Sequence, residues 1–167
     1  MAAPRFLNII SGITQQVIAA VTTAANAIVA TDATGRIDIS MMPVGVTAEV
    51  VVCPAFENLA VGQFVNLFSN GGVINARLAN ATDGSKPAVG FTLANVTAPA
   101  TATIYMIGAT NTQLSALAIG SPYFLDTTAG GITATAPSAG GNIVQRVGTA
   151  TTATTLIFNN TDYILLA

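Results

Sequence analysis

Acid–base catalysis by paired carboxylates is the most chemistry this sequence could support, and its closest pair is Asp32 and Asp38. Both flank a turn glycine and polar residues, so capping and solvation account for them. Histidine is absent, which removes the usual base for a Ser or Thr nucleophile and leaves no Cys/His set for zinc. Cys53 is the single cysteine, so no disulfide forms within the chain; in a strand it reads as a small hydrophobe. Carboxylates cluster nowhere in the numbers calcium needs. Asn70-Gly71-Gly72 and Gly140-Gly141 lack the Lys and the following helix of a phosphate cradle. Asn80-Ala81-Thr82, Asn95-Val96-Thr97 and Asn159-Asn160-Thr161 match a glycosylation acceptor, a match that so threonine-rich a chain produces by chance. The expectation is no enzyme activity, no metal and no cofactor.

The composition that frames these residues is nearly uncharged. Arg5, Arg36, Arg77, Lys86 and Arg146 stand against Asp32, Asp38, Glu49, Glu57, Asp83, Asp126 and Asp162. These are 7% of the chain, where a soluble domain carries about a quarter. A surface so poor in charge is suited to being covered by neighbours. The net charge of −2 and the lack of any Lys/Arg cluster argue against a nucleic-acid partner. The opening, Arg5 followed by an apolar run to Ala27, superficially resembles a secretory signal. Asn8, Ser11, Gln15 and Gln16 interrupt it, so neither export nor a membrane span is expected.

Two segments differ in period. Residues 1–12 hold Phe6, Leu7, Ile9 and Ile10 before Gly12. From Ile13 the apolar residues Ile13, Val17, Val21, Ala24, Ala25 and Ile28 recur at three and four, one face of a helix, although Val, Ile and Thr also suit an extended arm. Met41-Met42-Pro43-Val44-Gly45 reads as a joint, because Pro43 holds Met42 out of the helical region. From Val46 the period is two: Val46, Ala48, Val50 and Val52 alternate with Thr47, Glu49, Val51 and Cys53. Segments 63–68 and 73–79 flank Ser69-Asn70-Gly71-Gly72, a strong hairpin signal. Strands are also expected over 88–93, 101–107, 123–125, 132–135, 143–147 and 154–158, with 163–166 closing the chain. Gly130-Gly131 marks a second hairpin, and 137–141 a crossing to another strand. The fold expected is all-β, an antiparallel sandwich or small barrel of nine or ten strands over residues 46–167, preceded by an arm and joint over 1–45 that is either partly helical or extended.

Four stretches carry a family likeness: RFLN at Arg5 to Asn8, DATGRIDISMMPVGV at Asp32 to Val46, VGFTLANV at Val89 to Val96, and PYFLDTTAGGITATAPSAGGNIVQRVGTATTATTLIFN. With them the chain resembles the capsid cement, or head decoration, proteins of tailed bacteriophages. The resemblance implies an all-β body on the outer surface of the phage head, a homotrimer, an arm reaching across the major capsid protein, and a virion location after synthesis in the host cytoplasm. It transfers no catalytic residue.

The residues themselves point to the arm as the glue. Phe6, Leu7, Ile10, Val17 and Val21 are apolar and surplus to a β-body that already supplies an inner face, and Arg5 adds a charged, hydrogen-bonding anchor. Two rivals use a similar body. A trimeric tail fibre or receptor-binding spike would show more aromatic or charged ligand-contacting residues. A carbohydrate-binding module would gather aromatics, whereas Tyr105, Tyr123 and Tyr163 are far apart in sequence.

Overall fold

The computed structural model describes residues 5–10, 13–20, 28–31, 33, 35, 37 and 49–167. Among the described residues the chain is all-β, and it divides into two compact units, Met1–Thr47 and Ala48–Ala167.

In the first unit, β1 (Arg5–Ile10) and β2 (Ile13–Ala20) form an antiparallel pair in register from Arg5 opposite Ile18 to Ile10 opposite Ile13. β3 (Ile28–Val29) joins β2 in parallel, Ala19 opposite Ile28. Of the two readings left open from Ile13, a helix face and an extended arm, the extended one holds over Ile13–Ala20, and the partly helical arm is corrected there to a strand. Its cause is in the side chains: Ile13, Thr14, Val17 and Ile18 are β-branched and lose rotamer freedom in a helix. A strand also gives the main chain of Arg5–Ile10 hydrogen-bonding partners within the unit, which a short lone helix would leave to water. Val21, Ala24 and Ala25 of the helical pattern lie outside the described residues, as do Asp32, Asp38 and the 41–45 joint.

The second unit begins with a sheet that closes on itself. Its strands are β4 (Val50–Pro54), β5 (Phe64–Asn70), β6 (Val73–Leu78), β7 (Gly90–Thr92) and β8 (Thr101–Tyr105), in the order β4-β8-β7-β5-β6. The two end strands meet: Ala55 and Ala76 form a parallel bridge, the Phe56 N–H donates to the Ala76 carbonyl at 2.8 Å, and the Glu57 carboxylate accepts from the Leu78 N–H at 2.8 Å. The result is a small barrel with a seam. Its interior follows the period of two, taking Val51, Cys53 and Ala55 from the β4 side, Val65 and Leu67 from β5, Ala76 and Leu78 from β6, and Ala102 and Ile104 from β8. A five-stranded barrel is narrow, which suits three alanines and a cysteine there. At Gly90 a Cβ would sit 2.6 Å from Ile104 Cγ2. Val50 and Val52, the more uniformly apolar half of the alternation, face out; Val52 is 62% exposed.

The second sheet comprises β9 (Thr110–Asn111), β10 (Pro122–Leu125), β11 (Ile132–Thr133), β13 (Arg146–Thr152) and β14 (Thr155–Phe158), in the order β11-β10-β13-β14-β9. β12 (Ile143–Val144) and β15 (Ile164–Leu165) form a separate two-stranded ribbon. Barrel and second sheet share one core, with Phe64 and Phe91 from the barrel against Leu125, Val147, Leu156 and Phe158. The rings of Phe64, Phe91 and Phe158 stand 5.7–6.0 Å apart in tilted and edge-on pairs, a geometry that adds to their apolar burial.

Both glycine hairpins form. Gly71 and Gly72, at φ +60° and +86°, are the loop between the paired Asn70 and Val73, and Leu125 pairs with Ile132 across the turn that ends in Gly130-Gly131. The strand expected over 143–147 is divided at Gln145, and β13 runs on through Gly148 to Thr152. Gly148 is a point of close approach, since a Cβ there would lie 2.2 Å from the Ile157 carbonyl oxygen.

Candidate functional site

The arm residues singled out from the sequence fall on the β1–β2 pair. Phe6 stands opposite Val17, Arg5 opposite Ile18, Leu7 opposite Gln16 and Ile10 opposite Ile13, so the pairing brings Phe6 and Val17 to one rung of the ladder. Val21 lies outside the described residues.

On the body, a cleft of about 540 Å³ opens between the outer side of β8 and the 93–100 loop. Its walls are Leu93, Asn95, Val96, Thr97, Thr103 and Tyr105, hydroxyl and amide groups among apolar ones. The Tyr105 ring is stacked on Phe91 at 5.7 Å, and Asn95 Oδ1 accepts from the Val61 N–H at 2.9 Å, so both are committed to the fold.

Titratable groups in the body are few. Among the described residues, no three His, Cys, Asp or Glu side chains gather in a way that could hold a metal ion. Asp83 accepts from the Ser85 hydroxyl at 2.7 Å and the Ser85 N–H at 2.9 Å, and Lys86 lies 3.3 Å away; these hold its carboxyl below the usual range. Cys53 is inside the barrel, where burial pushes its thiol up. Buried polar side chains such as Asn66, Asn111 and Gln145 all have partners among the described residues.

The feature of the body that sequence periodicity missed is its exposed apolar surface. Val50, Val52, Phe56, Val61, Val73, Ile74, Ile107, Ile119, Ile157, Tyr163, Ile164 and Leu165 are each more than a third exposed. These twelve outnumber the eight charged residues of the same unit: Glu49, Glu57, Arg77, Asp83, Lys86, Asp126, Arg146 and Asp162. Many of them occupy strands, where the main chain holds them fixed in water. The only signal in the sequence was the low charge itself. No protein-family model and no curated protein sequence matches the chain.

Proposed function

We propose that the chain is a virion structural protein, a capsid cement or decoration protein that holds a tailed-phage head shell together by non-covalent contacts with the major capsid protein and with copies of itself, as a homotrimer. The observation that carries this reading is the surplus of exposed apolar side chains over charges on a body with a finished core. A cement acts by area and shape, and each square ångström of apolar surface taken from water contributes on the order of 25 cal/mol. Repetition around a closed shell turns modest contacts into a firm restraint. The arm, through Arg5, Phe6, Leu7, Ile10, Val17 and Val21, is the reading's capsid-binding segment, and the outer face of the head is its location.

The test has two arms. Quantifying the chain in purified particles separates shell from tail: hundreds of copies support cement, and a handful point to the tail fibre alternative. Undecorated heads are then mixed with the full chain or with a chain lacking residues 1–47. Binding lost with the arm while the β-sheet circular dichroism persists supports the assignment, and unchanged binding refutes the arm. Because so few charges are available, raised salt should leave decorated heads intact.

A further inference from the structure

On the outer side of the barrel, Phe56 is 55% exposed, and its ring meets Phe68 edge-on at 5.1 Å. The Arg77 guanidinium lies over the Phe68 ring, Cζ 4.4 Å from its centroid. It is held there by hydrogen bonds, Nε donating to Asn66 Oδ1 at 2.9 Å and Nη2 to the Ser85 carbonyl at 2.7 Å. Among the described residues the ion pair formed is Lys86–Asp83, and no carboxylate pairs with Arg77. A fixed cation beside an exposed aromatic is the composition of an interface anchor.

A second feature lies at the C-terminal ribbon. Gln145 Nε2 donates to Asn160 Oδ1 and to the Thr161 carbonyl. Further along, the Gly141 N–H donates to the Leu166 carbonyl and the Leu166 N–H to the Asn142 carbonyl, both at 2.9 Å. Between these anchors Asp162, Tyr163, Ile164 and Leu165 are all exposed, Ile164 by 68%. Asp162 has no cation partner among the described residues. The segment is thus a pre-shaped apolar edge with one carboxylate beside it. Both features border the same loop: Arg77 holds Ser85, and Leu165 Cδ1 lies 3.9 Å from where a Cβ on Gly84 would stand.

We propose that residues 162–165 of one copy dock on the Phe56–Phe68–Arg77 face of a second copy, with Arg77 donating to the Asp162 carboxylate across the contact. The occupant follows from complementarity, since each surface pairs apolar side chains with an ionic group, Arg77 on one and Asp162 on the other, that has no ion-pair partner among the described residues. Rings and aliphatic side chains supply the area; the ion pair sets the register. This rests on the self-association in the reading above and not on the shell.

Sedimentation equilibrium of the full chain tests it, with Phe56→Ser, Arg77→Asp, Asp162→Arg and the double reversal Arg77→Asp/Asp162→Arg. Phe56→Ser removes a ring that is more than half in water, so its fold is expected to survive, as circular dichroism will show. The expected result is association weakened at least about tenfold by each single change and largely recovered in the double reversal. Association unaltered by Phe56→Ser, a double reversal no better than its parents, or a wild-type chain that stays monomeric overturns the contact. A chain that associates in this way yet is missing from purified heads refutes the cement reading and leaves the contact standing.

Discussion

Gln145 brackets Ala88 as a strand would. Its Oε1 accepts from the Ala88 N–H at 2.7 Å and its Nε2 donates to the Ala88 carbonyl at 2.9 Å. The two residues are 57 positions apart, one just ahead of β7 in the barrel and the other at the break between β12 and β13. A side-chain amide thereby completes main-chain pairing between two parts of the body, with Gln145 only 2% exposed.

Replacing Gln145 with Leu should remove that pairing and leave a buried donor and acceptor without water. The expected loss is about 2–4 kcal/mol in urea unfolding. A loss under about 0.5 kcal/mol, the scale of an ordinary surface change, would show that Ala88 does not depend on it.

At the seam, Glu57→Ala deprives the Leu78 N–H of its acceptor. The expected cost is about 1 kcal/mol. Amide hydrogen exchange gives the sharper readout: protection should fall at Leu78 and hold at Val65, inside the barrel. Equal loss at both would mean that the seam is not a separable feature.

Two glycine substitutions should part widely. Gly148→Ala places a Cβ 2.2 Å from the Ile157 carbonyl oxygen and 2.4 Å from Leu156 Cδ2, so β13 and β14 must separate, at about 3 kcal/mol or more. Gly71→Ala meets nothing within 4 Å and bears only the strain of φ +60°, about 1 kcal/mol. Thermal melts of the pair decide it, and similar melting temperatures would contradict the close approach.

Asp83 gives a pH dependence with a defined sign. The Ser85 hydroxyl, the Ser85 N–H and Lys86 favour its ionised form in the folded state, so its folded pKa lies below the unfolded value of about 3.9. Its contribution is present above the unfolded pKa and is lost as pH falls through the folded one. The melting-temperature gap between wild type and Asp83→Asn should be largest near neutrality and close in acid. A gap that widens on acidification would reverse the assignment.

The β-body was legible because its long strands keep a strict period and its hairpin loops need residues that reach positive φ, as Gly71 and Gly72 do. Two-residue strands such as β9 and β12 are too short to show a period, so the body holds twelve strands where the pattern suggested fewer. The segment from Ile13 stayed open between helix and extended arm for an arithmetic reason: a spacing of four, as from Ile13 to Val17, satisfies a helix face and a strand face alike. The role of Gly148 was hidden because it depends on Ile157 and Leu156, which only the fold brings near. Which valines of β4 face inward was equally hidden, since the narrow barrel admits Val51 and Cys53 and the alternation alone treats both sets as equals. The Phe56–Arg77 face had no local pattern at all; its members come from three separate stretches.

The seam between β4 and β6 also bears on mechanical load. The chain enters the barrel at Val50, the first residue of β4, which is paired with β8 over five positions and tied to β6 on its other side through Ala55 and Phe56. Tension transmitted along that strand's axis runs perpendicular to the antiparallel β4–β8 hydrogen bonds, so these must shear together and cannot be unzipped one after another. A body pulled from its N-terminal side can therefore carry a sustained load, with β4 as the strand that bears it.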